Sequence, residues 1–387
     1  MSQFLSPEHE SFRQSVREFA QAEIAPHVAQ WDKDHFFPVD VIKKIGDLGL
    51  FGITAPEEFG GADGDFTSLC IAIEELGRVD QAIGITLEAG VGLGINPILT
   101  FGTQEQKEKW LPDLVAGQAL AGFGLTEAGA GSDAGATKTK AVLDNGEWVV
   151  NGSKQFITNS GSAMTSLVTV TAKTGEVDGK AELSTIMVPS GTPGFIAEPP
   201  YDKLGWNISD THPLTFIDAR VPEDYLLGTR GRGFAQFLAT LDDGRVAIAA
   251  LAVGCIQACL DLCTEYALDR TTFGKPIGAK QGVAFQLADL AVMAEAGRAL
   301  TYQAASMKDN GASVKEFKRA ASIAKLYTSE SAVSATRIAT QIFGGYGFME
   351  EYPVARFYRD AKILEIGEGT SEVQRILIAR SLGMPVE

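Results

Sequence analysis

The feature that most restricts this chain is a change in the spacing of its apolar residues, from a helical repeat to an alternation and back again. Up to about residue 118, apolar positions recur every three to five residues. Pro7-Glu8 opens a helix carrying Phe12, Val16, Phe19 and Ile24, which Pro26 interrupts. Residues 39–50 form a second helix ended by Gly52, and Asp65-Phe66-Thr67 starts a third through Leu69, Ile73 and Leu76. Residues 81–101 are a glycine-studded fourth; residues 103–115 are a fifth, with Thr103 and Gln106 spaced as a capping box.

From Ala119 the period is two. Asn145-Gly146 separates Ala141-Val142-Leu143 from Trp148-Val149-Val150, and Asn151-Gly152 separates that run from Gln155-Phe156-Ile157-Thr158. Both dipeptides predict tight hairpins, because both central residues of a type I′ turn need positive φ. Residues 166–171, 183–188 and 214–219 predict further strands. After Gly231-Arg232-Gly233 the helical period returns in three segments, residues 234–269, 280–308 and 313–342, joined by short links as in an antiparallel bundle. The expected fold is α+β and multidomain: an N-terminal helical domain (1–118), a middle antiparallel β-barrel or sandwich (119–228) and a C-terminal bundle of long helices (229–387). A length of 387 residues accords with two or three domains.

Charge and cysteine usage narrow the function. A formal charge of −16 argues against a nucleic-acid footprint, which needs a basic face. The first ten residues lack the basic and apolar regions of a secretory signal. The most apolar window, residues 83–101, contains Glu88, Asn96 and Pro97 and reads as a buried helix, so no membrane span is expected. Cys255, Cys259 and Cys263 share a helical face but have no histidine near them, so they read as core residues and no metal site is expected. A soluble cytoplasmic protein is expected. The four histidines have no ligand or triad spacing and GxSxG is absent, which disfavours a zinc enzyme or a serine hydrolase.

What chemistry remains centres on Glu368, a carboxylate between Gly367 and Gly369. Ser371 and Gln374 follow at capping-box spacing, so Glu368 is expected on a tight turn before a helix. Gly129-Ala130-Gly131-Ser132-Asp133-Ala134 approximates the dinucleotide fingerprint GxGxxA, but a strand follows it and no βαβ unit surrounds it. Such a turn can still bind a polar ring or a phosphate. Phe156 and Thr158 fall on one face of a strand by alternation, an aromatic beside a hydroxyl. Arg270-Thr271-Thr272-Phe273-Gly274-Lys275 is basic on an acidic background, and Gln341 precedes a glycine-rich helix end at Gly344 and Gly345. Both suit a phosphate-bearing ligand, and both are also ordinary ways to end a helix.

With these residues in view, the chain resembles the acyl-CoA dehydrogenase family along nearly its whole length. Leu125-Thr126-Glu127-Ala128-Gly129-Ala130-Gly131-Ser132-Asp133 is similar to the family's first signature and Phe156-Ile157-Thr158-Asn159 to its second flavin segment. Residues 270–275, 341–345 and 368–375 resemble its C-terminal motifs. The resemblance implies FAD, an acyl-CoA substrate, α,β-desaturation, an electron-transferring flavoprotein as acceptor, and a homotetramer in which Arg270 and Phe273 reach a neighbour's FAD. It places Glu368 on the catalytic base, and Phe123, Leu125, Thr126, Ser132, Phe156 and Thr158 on flavin-ring contacts. Arg270, Phe273, Gln281, Gln341, Gly344, Gly345, Thr370 and Glu372 fall on the rest of FAD. Ser132, Asp242, Arg245 and Gly369 match substrate-side positions.

The chain departs from the family pattern at Ala128, where many members have proline, at Phe156, where many have tryptophan, and at Gly367, where tyrosine is frequent. Gly244 stands where isovaleryl-type members carry a glutamate base, so the resemblance favours a short-chain type. Gly367 leaves room for a branch, and Ile85, Leu87 and Glu88 are expected to limit pocket depth. The alternatives are another flavoenzyme on this fold, such as an acyl-CoA or nitroalkane oxidase, or a non-catalytic CoA-binding scaffold.

Overall fold

The computed structural model describes residues 5–386; residues 1–4, part of the N-terminal stretch read above, and residue 387 lie outside it. Helices come first: α1 (Pro7–Phe19), α2 (Val28–Asp34), α3 (Val39–Asp47), α4 (Phe66–Val79), α5 (Gln81–Glu88), α6 (Asn96–Phe101) and α7 (Gln104–Val115). The Thr103–Gln106 capping box opens α7 as expected. The expected first helix is cut at Phe19 by a π-helical turn, Ala20–Ile24, ahead of Pro26. The expected fourth helix contains a second such turn, Ala89–Ile95, between α5 and α6. A π-turn widens the helix and re-aims the side chains beside it.

The middle domain is a sheet of β1 (Leu120–Gly124), β2 (Lys140–Asp144), β3 (Glu147–Thr158), β4 (Thr165–Val177), β5 (Lys180–Pro189), β6 (Phe195–Ala197), β7 (Thr211–Pro222) and β8 (Leu226–Leu227). Its order is β6-β7-β3-β2-β4-β5-β8, with β1 added on β4. Most pairs are antiparallel, but β1 lies parallel to β4, so the sheet is mixed. Asn145 and Gly146, at φ 52° and 83°, make the expected hairpin. Asn151-Gly152 does not turn the chain: β3 runs through it as a bulge. The Asn151 side chain bridges to Asp218 across the gap, accepting from its backbone N–H at 2.9 Å and donating to its carboxylate at 3.0 Å. A Cβ on Gly152 would lie 2.5 Å from Thr139 Oγ1, so only glycine fits there.

The C-terminal domain is α8 (Gly233–Asp269), a small hairpin of β9 (Thr271–Thr272) and β10 (Lys275–Pro276), then α9 (Gln281–Asp309), α10 (Val314–Phe343), α11 (Pro353–Ala361) and α12 (Ser371–Ser381). The first three long helices start and stop within about a residue of the expectation. One apolar core joins the N-terminal helices to the bundle, and a separate one fills the sheet. The contact between α4 and α8 is close because Gly254 carries no side chain: a Cβ there would sit 2.4 Å from the Glu74 carbonyl oxygen. That approach places the first half of α8 beside α5. Two stretches, Gln81–Phe101 and Gly233–Asp269, are long and apolar enough to cross a membrane, and each buries 78% of its apolar window inside the fold, as core helices do.

Candidate active site

Glu368 lies on the turn between α11 and α12, and it is itself the strained residue, with φ 51°, followed by Gly369 at φ 91°. A non-glycine residue in this region costs about 1–2 kcal/mol and persists only where its surroundings hold it. Here they do. Lys325 Nζ of α10 donates to the Gly369 carbonyl at 2.8 Å, and Gln374 Nε2 donates to the same carbonyl at 2.9 Å. The helix cap is Thr370, whose hydroxyl accepts from the Val373 N–H, one residue earlier than expected; the Ser371 hydroxyl is buried without a partner among the described residues.

The Glu368 carboxylate points at α8, where Gly244 makes room for it. A Cβ on Gly244 would fall 2.0 Å from Glu368 Oε2, so this carboxylate and a side chain at 244 exclude one another. Oε2 is buried without a hydrogen-bond partner among the described residues. Burial pushes the Glu368 carboxyl up to about 7, while the neighbouring Glu88 carboxyl and the charges of Lys325 and Arg245 pull it down. Burial in turn lowers the Lys325 ammonium to about 8. Arg245, buried on α8, pairs with Asp242 one turn away, and Asp242 also lies 3.9 Å from Lys318. Glu368, Gly369, Arg245 and Asp242 are thus brought together. Of the expected pocket floor, Ile85 and Leu87 belong to the main core, and Glu88 is the residue of α5 that meets Glu368.

A second group sits on the sheet. Phe123 and Leu125 are buried against α8, with the Phe123 ring tilted 34° against Phe237 at 4.0 Å between centroids. The loop that follows is anchored from beneath by Glu127. Its carboxylate accepts from Lys154 Nζ at 2.8 Å, from the Lys138 and Thr139 N–H groups and from Thr137, which holds it down at about 2. Thr126 is half-buried and Ser132 exposed on this loop. Gly129 and Gly131 have nothing near where a Cβ would be, so no neighbour forces them to be glycine. Phe156 and Thr158 lie off the core side together, on either side of the buried Ile157. Phe156 has φ 62° within a register shift of β3, which turns it out against Tyr201 at 64% exposure.

A third group lines an open cleft of about 590 Å³ where the bundle helices end, bordered by Tyr266, Arg270, Thr272, Gly344, Gly345 and Tyr346 among others. The Arg270 guanidinium sits 5.7 Å over the Tyr346 ring. Gly344 turns left-handed at φ 61°, ending α10 with its backbone exposed. Phe273 caps the β9–β10 hairpin at 95% exposure, and Gln281 and Gln341 are exposed nearby at the start of α9 and the end of α10. No residue of the sheet lines this cleft. One chain therefore does not bring the Arg270 group together with the sheet group. Thr370 and Glu372 stay with the Glu368 turn.

Three family models cover the chain in order: the acyl-CoA dehydrogenase N-terminal domain over residues 6–118, the middle domain over 122–219 and the C-terminal domain over 231–383. The chain belongs to the acyl-CoA dehydrogenase family. It is 48% identical over 379 residues to a probable acyl-CoA dehydrogenase of Bacillus subtilis, covering 98% of each protein. It is 44% identical to the mitochondrial short-chain specific acyl-CoA dehydrogenase of Bos taurus, over 97% of this chain and 90% of that protein. The solved butyryl-CoA dehydrogenase of Megasphaera elsdenii superposes with a TM-score of 0.93 at 41% identity, covering 98% of each. The chain is accordingly an oxidoreductase.

Three residues that hold the site's geometry escaped the sequence reading: Lys325, Glu127 and Lys154. Lys325 falls on the buried stripe of α10 with Ala321, Ser322, Thr328 and Ser329, a lysine where the helical period demands a small or apolar residue. Glu127 and Lys154, a buried pair 2.8 Å apart, carried no such signal, because one lies in a loop and the other in a strand. Among the described residues, no group of three His, Cys, Asp or Glu could hold a metal.

Proposed function

We propose that this chain is an FAD-dependent dehydrogenase that converts short acyl-CoA thioesters, branched ones included, to the trans-2-enoyl-CoA, with Glu368 as base. The observation that carries the reading is the Glu368 carboxylate: half-buried, with Oε2 enclosed and unpartnered among the described residues, held on a strained turn and poised near neutrality. A general base works best when its pKa lies near the operating pH. Glu368 takes the weakly acidic α-proton, while Lys325 and Arg245 keep the carboxylate ionised beforehand. Desolvation strengthens the base, and the turn's hydrogen bonds spare it reorganisation as the substrate reacts. Asp242, Arg245, Gly369 and Ser132 are assigned to the substrate.

The residues present fit FAD. Arg270, Gly344 and Gly345 form a cationic, side-chain-free cradle suited to a pyrophosphate, with Phe273, Gln281 and Gln341 beside it. Phe156, Thr158, Phe123, Leu125 and Thr126 offer a flat apolar surface with hydroxyls at its edge, suited to the flavin ring, and Thr370 and Glu372 lie at the Glu368 turn. When bound, FAD supplies the acceptor of the β-hydride. Because cradle and ring surface are separate in one chain, we assign the site to a homotetramer in which Arg270 and Phe273 serve a neighbour. The exposed Phe273, Phe285 and Phe348 support a buried contact there.

Short-chain preference is supported by the names of the bovine and Megasphaera relatives and by Gly244, which admits no second glutamate beside Glu368. Room for a branch is supported by Gly367, whose Cβ would meet only the Ile363 carbonyl, at 3.5 Å. An electron-transferring flavoprotein is the assigned acceptor. Four free, buried cysteines suit a reducing compartment, and we assign the protein to the cytoplasm. The test is the visible spectrum of the purified protein, followed by anaerobic bleaching with acyl-CoAs of rising length and with isobutyryl-CoA. A flavin spectrum bleached best by short chains is expected. A colourless protein, rapid turnover with oxygen alone, or a rate that climbs steadily with chain length would each sink the reading. Light scattering with and without added FAD checks the tetramer.

A further inference from the structure

We propose that His212 is a positioning residue of the flavin-ring surface: with a proton on both ring nitrogens, it clasps the loop that backs Phe156 to the turn that follows Thr158. The inference rests on reading Phe156 and Thr158 as flavin contacts, and goes beyond it by assigning what holds them. His212 lies at the start of β7, where its backbone pairs with Ile157, the residue between those two. Its Nδ1 is 2.6 Å from the Glu198 carbonyl oxygen, and its Nε2 is 2.7 Å from Asp210 Oδ1. The ring lies against Gly161, where a Cβ would fall 2.3 Å from Nε2, so a larger residue there would push the imidazole off its partners.

Both partners can only accept. A carbonyl oxygen carries no proton, and Asp210 Oδ2 takes the Gly161 and Ser162 N–H groups at 3.1 and 3.0 Å, which favours the ionised carboxylate. A neutral imidazole has one N–H and satisfies one of them; the imidazolium satisfies both. The charges around the ring agree. Burial works against the proton, but the hydrogen bonds to Asp210 and Glu198 and the Asp210 charge outweigh it and raise the imidazole above its ordinary value of 6.5. Lys203 opposes this from the loop; its ammonium donates to the Ser209 carbonyl at 3.0 Å and is itself drawn by Asp210 and by Asp360 of α11. Each end of the clasp reaches the ring surface. Glu198 opens the loop 198–210 that carries Tyr201, whose ring backs Phe156 at 5.1 Å between centroids and whose hydroxyl donates to Gln155 at 2.5 Å. Asp210 holds the turn 159–162 by its side chain and by its carbonyl, which accepts from the Asn159 N–H at 2.8 Å. The clasp is therefore complete below pH 6.5 and opens as pH rises through the raised value, freeing either the Tyr201 loop or the turn after Thr158.

The chain has four histidines, so nitrogen NMR of the histidine-labelled holoenzyme resolves the ring, assigned as the signal lost in His212→Asn. Just above pH 6.5 both His212 nitrogens are expected to carry protons. Asp210→Asn keeps an acceptor for the Gly161 and Ser162 N–H groups and can donate to Nε2, so a neutral ring then suffices. In that variant His212 is expected to lose its second proton at least about one pH unit lower. Flavin fluorescence on dilution gives the second readout: His212→Asn is expected to hold FAD about tenfold more weakly and to lose the pH dependence of the wild type. A bare ring nitrogen in the wild type would overturn the proposal, as would a titration unmoved in Asp210→Asn or an FAD affinity of His212→Asn within about twofold of wild type. If His212→Asn does not fold, the signal that moves in Asp210→Asn identifies the ring and decides. A wild type that takes up no FAD would end the flavin reading and the positioning role with it, yet leave the doubly protonated ring visible, so the two failures are told apart.

Discussion

Helices α4 and α5 each bury glutamates against the bundle, and they do so in opposite ways. Glu74 and Glu75 on α4 are 1% exposed and fully matched. Arg13 reaches Glu75 at 2.9 Å and Glu74 at 3.1 Å, Arg17 reaches Glu75 at 2.8 Å, Arg298 reaches Glu74 at 2.9 Å, and Tyr302 donates to Glu74. Arg298 and Arg13 hold the Glu74 carboxyl down at about 2 despite its burial. Glu88 on α5 is equally buried, and neither of its carboxyl oxygens has a hydrogen-bond partner among the described residues. The matched cluster joins α1, α4 and α9; Glu88 is left free to take a proton. Burial is the same in both, so the partners decide whether a carboxylate holds a structure together or does chemistry.

The comparison is broken most severely at the catalytic carboxylate. Glu368→Gln is expected to keep FAD and acyl-CoA binding and to lower the rate of anaerobic bleaching by about 10²–10⁴-fold. Stopped-flow bleaching measures this, and a loss under about tenfold would reassign the base. Breaking the matched cluster should instead cost stability. Glu74→Ala leaves Arg13 and Arg298 underpaired in the interior and is expected to destabilise the protein by about 3–5 kcal/mol in a denaturant titration. The turnover of whatever remains folded should be unchanged. Because the Glu74 carboxyl is lowered in the fold, its contribution is present above its ordinary value of 4.5 and fades as pH falls toward about 2.

A smaller perturbation displaces the base without removing it. Gly244→Ala puts a methyl 2.0 Å from the present position of Glu368 Oε2, so the carboxylate must swing away. The expected cost is about 10² in kcat, with little change in denaturation midpoint, because the clash is with the end of a side chain. The smallest effect concerns stability at the active site. The Glu368 carboxyl is raised in the fold from 4.5 to about 7, so its ionisation is unfavourable there and weakens the folded state as pH rises through that window. Glu368→Gln should then match wild type near pH 4.5 and exceed it above pH 7. The gain should be on the order of 1 kcal/mol, discounted for the residue's partial exposure. Thermal melts across pH check it; a variant no more stable than wild type at the alkaline end would show that the site stores no such strain.

The sequence by itself determined the order helix, sheet, helix, the three long bundle helices, the Asn145-Gly146 hairpin and the turn carrying Glu368. All of these are written in local periodicity and in residues with strong backbone preferences, which act over a few positions and need no distant partner. Only the tertiary structure decided the rest. Asn151-Gly152 became a bulge because Asp218 and Thr139, far along the chain, fill the space a turn would need. Thr370 displaced Ser371 as cap because the left-handed pair Glu368–Gly369 set where α12 begins. The pairing of Glu74 with Arg13 and Arg298, where Glu88 has no hydrogen-bond partner among the described residues, depends on which helix faces which. Each glutamate looks the same in its own helix, and the arginines lie more than sixty or two hundred positions away in the chain. Charge effects act through space, so a carboxylate's role emerged only once packing had chosen its neighbours.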